Sequence, residues 1–301
     1  RIQTATASRS LQRARERVIE ILLLLAALSS VAITVGIVGV LVLESLQFFK
    51  HVSIIEFLTD TQWTVLFADP HYGIMSLVSG TLVTSVVALL VSLPHGTVIG
   101  IYLSEYAGSR TREILKPTLE LLSAVPTVVF GYFALLFVTP LLQSLVPSLP
   151  GFNMLSAGIV IGIMIIPYVS SLSEDAIRAV PVHIREGSYA MGATRLQTSV
   201  RVLFPAAFSG IASAYVLGFS RAVGETMIVA VAAGMQPNFT LNPMEGAATI
   251  TAYIVQVSLG DLPHGSIAYQ SIFAAGLTLM LMTLIFNIGG YLLRKRFREI
   301  Y

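Results

Sequence analysis

LLSAVPTVVFGYFALLFVTPLLQSLVPSLPGFNMLSAGIVIGIMIIPYVSSLS, residues 121–173, runs for 53 residues without a charged side chain. A helix crosses the hydrocarbon core of a bilayer with roughly 20 apolar residues, so this stretch is too long for one crossing. Pro140, Pro147, Pro150 and Gly151 cluster in its middle, where the missing proline N–H and the freedom of glycine favour a turn. It therefore reads as two spans, about 121–142 and 154–172. Pro126 is expected to break or bend the first of them.

Outward from this stretch the same arithmetic finds four more spans. Residues 21–43 are an uncharged run of 23, and residues 77–103 form another run, interrupted at Pro94-His95-Gly96. Residues 204–233 hold a span that contains Arg221 and Glu225, and residues 271–293 hold the last. The expected architecture is all-α and integral to the membrane, with six transmembrane helices. The run at 21–43 exceeds the apolar core of a signal peptide and no small-x-small site follows it, so it reads as a retained anchor. In 52–73, Trp63, Phe67 and Tyr72 are expected to sit at the membrane interface as an aromatic belt.

Composition agrees. Of the 301 residues, 55% are hydrophobic and 11% charged, with mean hydropathy +0.81; a soluble domain carries about 25% charged residues. A soluble enzyme is excluded. With no Cys and five His, zinc-ribbon, iron–sulfur and disulfide scaffolds are excluded too. No metal site or catalytic residue is expected, and the absence of a basic stripe interleaved with aromatics argues against nucleic acid.

Basic residues are retained on the cytoplasmic side of a membrane. Arg1, Arg9, Arg13, Arg15 and Arg17 precede the first span, and Arg110, Arg112 and Lys116 lie between the second and third. Arg178, Arg185, Arg195 and Arg201 lie between the fourth and fifth, and Arg294, Lys295, Arg296 and Arg298 follow the sixth. Sixteen of the 18 Lys and Arg thus fall on one face, against Lys50 alone with Glu44, Glu56, Asp60, Asp69, Glu245 and Asp261 on the other. Both termini are expected in the cytoplasm.

The connection at 173–205 is longer than a turn needs. A helix at 174–180, another opened by Pro181, a break at Gly192 and re-entry at Pro205 would make a cytosolic knob suited to a soluble partner. EGSYAMGATRLQTSVRVLFP, residues 186–205, resembles the EAA loop of ABC importer permeases. Glu186, Gly192 and Pro205 stand on its spacing, Val202 and Phe204 are apolar replacements, and Gly187 and Ser188 stand where the pattern has alanines. The resemblance implies that the loop inserts into a nucleotide-binding subunit and couples ATP hydrolysis to membrane motion. The chain carries no Walker A sequence, so ATP and Mg are expected on a partner ATPase, with no cofactor on this chain.

Arg221 and Glu225, in GFSRAVGETMIVA, are four apart and expected on one helix face. A charge at bilayer depth costs ~2.5–3.5 kcal/mol on insertion scales, so such residues default to a functional reading, with a structural ion pair as the alternative. A guanidinium matches phosphate or carboxylate oxygens with paired donors. A carboxylate beside it would favour an oxyanion that still carries a proton, as phosphate does and sulfate does not.

SRAVGETM resembles the corresponding segment of Pst-type phosphate importer permeases. Residues 72–85 (YGIMSLVSGTLVTS), 101–108 (IYLSEYAG), 115–135 (LKPTLELLSAVPTVVFGYFAL) and 251–261 (TAYIVQVSLGD) resemble the C-type subunit, PstC, of the MetI-like permease family. The resemblance implies a bacterial inner-membrane permease that pairs with a PstA-type permease, a PstB-type ATPase dimer and a PstS-type phosphate-binding protein. It also implies a substrate path at Arg221, Glu225 and Thr226, and an ATPase-coupling loop at Glu186, Gly187, Ser188, Gly192 and Pro205. Two parts are expected: 1–70, with the N-terminus, first span and external segment, and 71–301, the permease core with the coupling loop at about 173–205. Molybdate, sulfate or phosphonate remain alternative cargoes, an ion-coupled secondary transporter using Glu225 is an alternative class, and a membrane scaffold is a third.

Overall fold

The computed structural model describes residues 2–296 except Leu66, Ala68, Asp261 and His264, with side chains described from Arg15 onward. Arg1, Arg9, Arg13, Arg298 and Asp261, used above in the charge count, lie outside the described side chains. In chain order the helices are α1 (Ile2–Phe48), α2 (Ile54–Thr59), α3 (Met75–Ile101), α4 (Ser109–Ala124), α5 (Thr127–Phe133), α6 (Thr139–Leu145) and α7 (Met154–Arg178). There follow α8 (Val182–Ala190), α9 (Arg195–Thr198), α10 (Phe204–Ala206), α11 (Phe208–Val223), α12 (Met227–Ala232), α13 (Ile250–Ser258) and α14 (Ile267–Arg296). π-Helical turns at Tyr102–Tyr106, Ala134–Val138 and Ser199–Leu203 extend α3, join α5 to α6 and join α9 to α10.

Among the described residues, five helical segments are long and apolar enough to cross a bilayer: Arg15–Phe48, Met75–Tyr106, Thr127–Leu145, Met154–Arg178 and Ile267–Arg296. A sixth arises when Arg195–Ala206 and Phe208–Val223, bent by 73°, count as one span. Pro94 lies inside α3 without breaking it, contrary to the interruption expected there. At Pro126 the chain does break. Pro126 caps α5, and residues 121–124 belong instead to α4, an amphipathic helix with no buried residue.

α3 and α7 are the central pair, and small residues let their backbones meet, as in membrane bundles generally. A Cβ on Gly162 would stand 2.7 Å from the Ala88 carbonyl oxygen, and one on Gly100 would stand 2.8 Å from the Ser173 Cβ. Around this pair lies a core of Ala88, Phe130, Val160, Ile161, Met164, Ile165 and Ile228. A second cluster, Ile177, Val180, Leu203 and Ile211, closes the end that carries Arg112, Lys116, Arg178 and Arg185; this is the basic end below.

At the opposite end Phe48, Phe57, Trp63, Tyr72 and Tyr253 pack edge to face. Trp63 is 2% exposed, its ring 5.0 Å from that of Tyr253. The expected interfacial belt is thus corrected for Trp63, whose ring is buried among Phe57 and Tyr72 of the same segment and Tyr253 of α13, while Phe67 is exposed.

Candidate functional site

The span expected at 204–233 is not one helix. α11 ends at Val223, Gly224-Glu225-Thr226 form a break, and α12 resumes at Met227. Glycine is the weakest helix former after proline, and side chains, one of them from α13, satisfy the opened backbone. The Thr251 hydroxyl donates to the Glu225 carbonyl at 2.7 Å, and the Ile228 N–H donates to the Glu225 carboxylate at 3.5 Å. In apolar surroundings broken backbone persists only where such partners exist. Thr249 and Thr251 also bond each other, and Thr81 on α3 accepts from the Ile250 N–H at 3.1 Å.

Arg221 and Glu225 meet across this break. Arg221 Nη1 lies 3.3 Å from Glu225 Oε2, although Glu225 is outside the helix that carries Arg221. Their surroundings differ sharply. The Glu225 side chain is 2% exposed, the Arg221 side chain 38%. Glu225 Oε2 is charge-paired but accepts no well-formed hydrogen bond among the described residues. Arg221 Nη2 is 3.9 Å from Met164 Sδ, a weak acceptor. Thr226 sits in the break with its hydroxyl toward the Gly224 carbonyl at 3.4 Å. The result is a cation on a partly exposed side chain, backed by a buried carboxylate with an acceptor lone pair to spare.

The second candidate region is the 182–206 loop at the basic end. Pro181 caps α8, and Gly192 turns the chain at φ +83°, a left-handed conformation that glycine adopts without a Cβ clash. Thr194 and Gln197 close a reciprocal cap on α9, and Ser188 bonds Thr198 at 2.8 Å, clasping α8 to the following turn. Glu186 and Gly187 are exposed, Ser188 is half-buried, and Met191 at 88% exposure projects beside them with Val182 and Leu196. Pro205 stands in the first turn of α10.

Sequence reading missed how this loop is fastened. Arg185 donates from Nε to Glu105 Oε2 at 3.1 Å and from Nη2 to Glu105 Oε1 at 2.8 Å. The Arg195 guanidinium lies 5.0 Å above the Tyr106 ring. Both anchors are on the π-turn that ends α3. Nearby, buried Glu174 on α7 lies 3.0 Å from Lys116, 3.7 Å from Arg112 and 3.8 Å from Arg178. Burial pulls the Lys116 ammonium down, but the carboxylates of Glu174 and Asp175 outweigh it and hold the group above its ordinary 10.5. The quoted IYLSEYAG and LKPTLE stretches contain Glu105, Tyr106 and Lys116, but nothing in either names a partner some sixty to ninety residues away.

The family described as "Binding-protein-dependent transport system inner membrane component" matches residues 96–299. The chain is 34% identical over 288 residues to a Bacillus subtilis protein named "Probable ABC transporter permease protein YqgH", covering 95% of this chain and 92% of that one. It is 30% identical over 262 residues to "Phosphate transport system permease protein PstC" of Mesorhizobium japonicum, covering 79% and 78%. Among solved structures, a bacterial alginate ABC transporter in complex with a periplasmic protein bound to alginate pentasaccharide superposes with TM-score 0.60 at 18% identity, over 84% of this chain and 86% of that one. An inward-facing MetNI methionine transporter superposes with TM-score 0.55 at 18% identity, over 75% and 94%.

Proposed function

The chain belongs to the binding-protein-dependent transport system inner membrane component family, as a permease subunit of an ABC importer with the MetI-like fold, and from that premise we propose that its cargo is inorganic phosphate. Membership of this family sets aside the ion-coupled transporter and the scaffold. Relatives named as phosphate transport system permeases support the cargo, and one feature of the site carries it. The Arg221 guanidinium, on a side chain 38% exposed, lies 3.3 Å from a buried carboxylate whose Oε2 accepts no well-formed hydrogen bond among the described residues. A passing oxyanion accepts from the guanidinium, and an oxyanion that bears a proton donates a hydrogen bond through it to the vacant lone pair while keeping the proton. Phosphate at neutral pH has that proton; sulfate would leave Glu225 facing a second full negative charge. Thr226 supplies a hydroxyl in the same break.

The partner ATPase docks on the 182–206 loop, with Glu186 exposed at the tip of the knob and Gly187, Ser188, Gly192 and Pro205 shaping it. ATP and Mg are bound there, in a PstB-type dimer. A PstA-type permease completes the path, and a PstS-type binding protein delivers phosphate at the face opposite the basic end. The basic end, with both termini, is cytoplasmic. The parts 1–70 and 71–301 divide as anchor with external segment and transporting core.

Radiolabelled phosphate and sulfate uptake by proteoliposomes holding the assembled transporter, with ATPase activity measured in parallel, tests the proposal. Arg221→Gln should abolish phosphate uptake while assembly and basal ATPase persist, and Glu186→Ala should uncouple or release the ATPase. Sulfate uptake equal to phosphate uptake in the wild type would overturn the cargo assignment. Full uptake by both variants would overturn the path and the coupling loop.

A further inference from the structure

One face of α14 meets α11 in a graded series. Ser220 bonds Asn287 at 3.4 Å, a Cβ on Gly290 would collide with Val216, and Arg294 Nη1 donates to Ser213 Oγ at 3.3 Å. Below the tight crossing at Gly290 the helices part around an open cavity of about 440 Å³, lined by Ser209, Gly210, Ser213, Tyr291, Arg294 and Lys295. Three features make it more than a gap between basic residues. Arg294 Nε is buried with no hydrogen-bond partner among the described residues, an arrangement that costs free energy until the guanidinium turns toward an acceptor in the cavity it lines. The Ser213 hydroxyl already donates to the Ser209 carbonyl at 2.9 Å, so it presents a lone pair to Arg294 and orients the guanidinium. The cavity also lies where the apolar length of α14 ends, beside exposed Tyr291, Leu292 and Leu293, at the level of lipid headgroups.

We propose that this cavity is a binding site for the phosphate of an acidic phospholipid headgroup, with Arg294 and Lys295 pairing the phosphate and Leu292 and Leu293 beside its acyl chains. Basic pockets between transmembrane helices at a membrane rim are suited to such headgroups. The site is separate from the Arg221 break, and the cargo assignment does not bear on it. Only the leaflet that supplies the lipid rests on the proposed orientation. A free phosphate ion shares the anionic chemistry but makes no use of the lipid-facing wall.

Native mass spectrometry of the assembled transporter, delipidated and then titrated with phosphatidylglycerol or phosphatidylcholine, decides the matter. The wild type should retain phosphatidylglycerol in preference to phosphatidylcholine. Arg294→Gln should lower that retention about fivefold, the scale of one basic residue at an anionic surface. Arg296→Gln changes net charge equally but lies outside the cavity, and should leave retention unchanged. Ser213→Val, neutral and on the other helix, should also lower it; together with Arg294→Lys, which should keep it, this variant carries the test if Arg294→Gln fails to assemble. Equal loss in Arg294→Gln and Arg296→Gln, undiminished retention in Arg294→Gln or Ser213→Val, or displacement of phosphatidylglycerol by inorganic phosphate would each overturn the proposal.

Discussion

Arg185 grips Glu105 with two parallel hydrogen bonds, at 3.1 and 2.8 Å, and so joins the helix that carries Glu186 to the end of α3. Glu105 is nearly fully buried and Arg185 three-quarters buried, so the pair is poorly screened. The π-turn that holds Glu105 is continuous with the helix packed most intimately on α7. Force applied to the loop therefore has a rigid route into the bundle.

Cutting this joint should uncouple the transporter without unseating the ATPase. Arg185→Ala leaves a buried carboxylate unpaired, which costs ~3–5 kcal/mol where the burial is complete. The expected outcome is a lower melting temperature and phosphate uptake reduced at least tenfold, with ATPase activity retained. Exchanging the charges, Glu105→Arg with Arg185→Glu, should recover part of both. Recovery of neither would mean that the pair does not act as a unit.

A pH prediction follows from Lys116. Its ammonium is held above 10.5 by Glu174 and Asp175. A group raised on folding contributes stability fully below its unfolded value and loses it as pH rises through the folded one. The melting temperature of the purified protein should therefore fall as pH climbs past about 10.5, and Lys116→Met should flatten that decline while lowering stability at pH 8. A decline of equal slope in the variant would assign the alkaline loss to other groups.

Helix contact makes a sharper contrast between glycines. A Cβ at Gly162 would press on the Ala88 backbone and on Val91, while Gly36, in the exposed stretch of α1, has nothing within 4 Å. Gly162→Val should cost ~1–3 kcal/mol, the usual scale of overpacking, and halve or worse the yield of assembled protein. Gly36→Val should leave melting temperature and yield at wild-type values.

The spans were legible because lipid leaves the backbone few choices: an uncharged run of 53 residues with prolines at its centre has to be two crossings. The nearness of Arg221 to Glu225 was legible from their spacing of four. Other features were not, for reasons that differ. The break at Gly224–Thr226 carries only a single glycine as local signal, and what stabilises it is Thr251, 26 residues from Glu225. Glu105 and Glu174 look in sequence like any charges near a helix end, and their partners Arg185, Arg112 and Lys116 come from other helices. Trp63 was misplaced because aromatic residues near a membrane suit both a belt and a core, and only the arrival of Tyr253 decides between them.

Thr251 offers the cleanest test of whether the break itself matters, because it bonds the Glu225 carbonyl and not the carboxylate. Thr251→Val keeps the volume, leaves Arg221 and Glu225 in place, and strips a donor from a buried carbonyl, at a cost of ~1–3 kcal/mol. If the geometry of the break presents the carboxylate to the cargo, phosphate uptake should fall about tenfold or more, with assembly and basal ATPase intact. Thr251→Ser, which restores the hydroxyl, should return most of the activity. If Thr251→Val transports like the wild type, Arg221 and Glu225 are held by their own pairing alone, and the break is a consequence of helix packing with no part in the path.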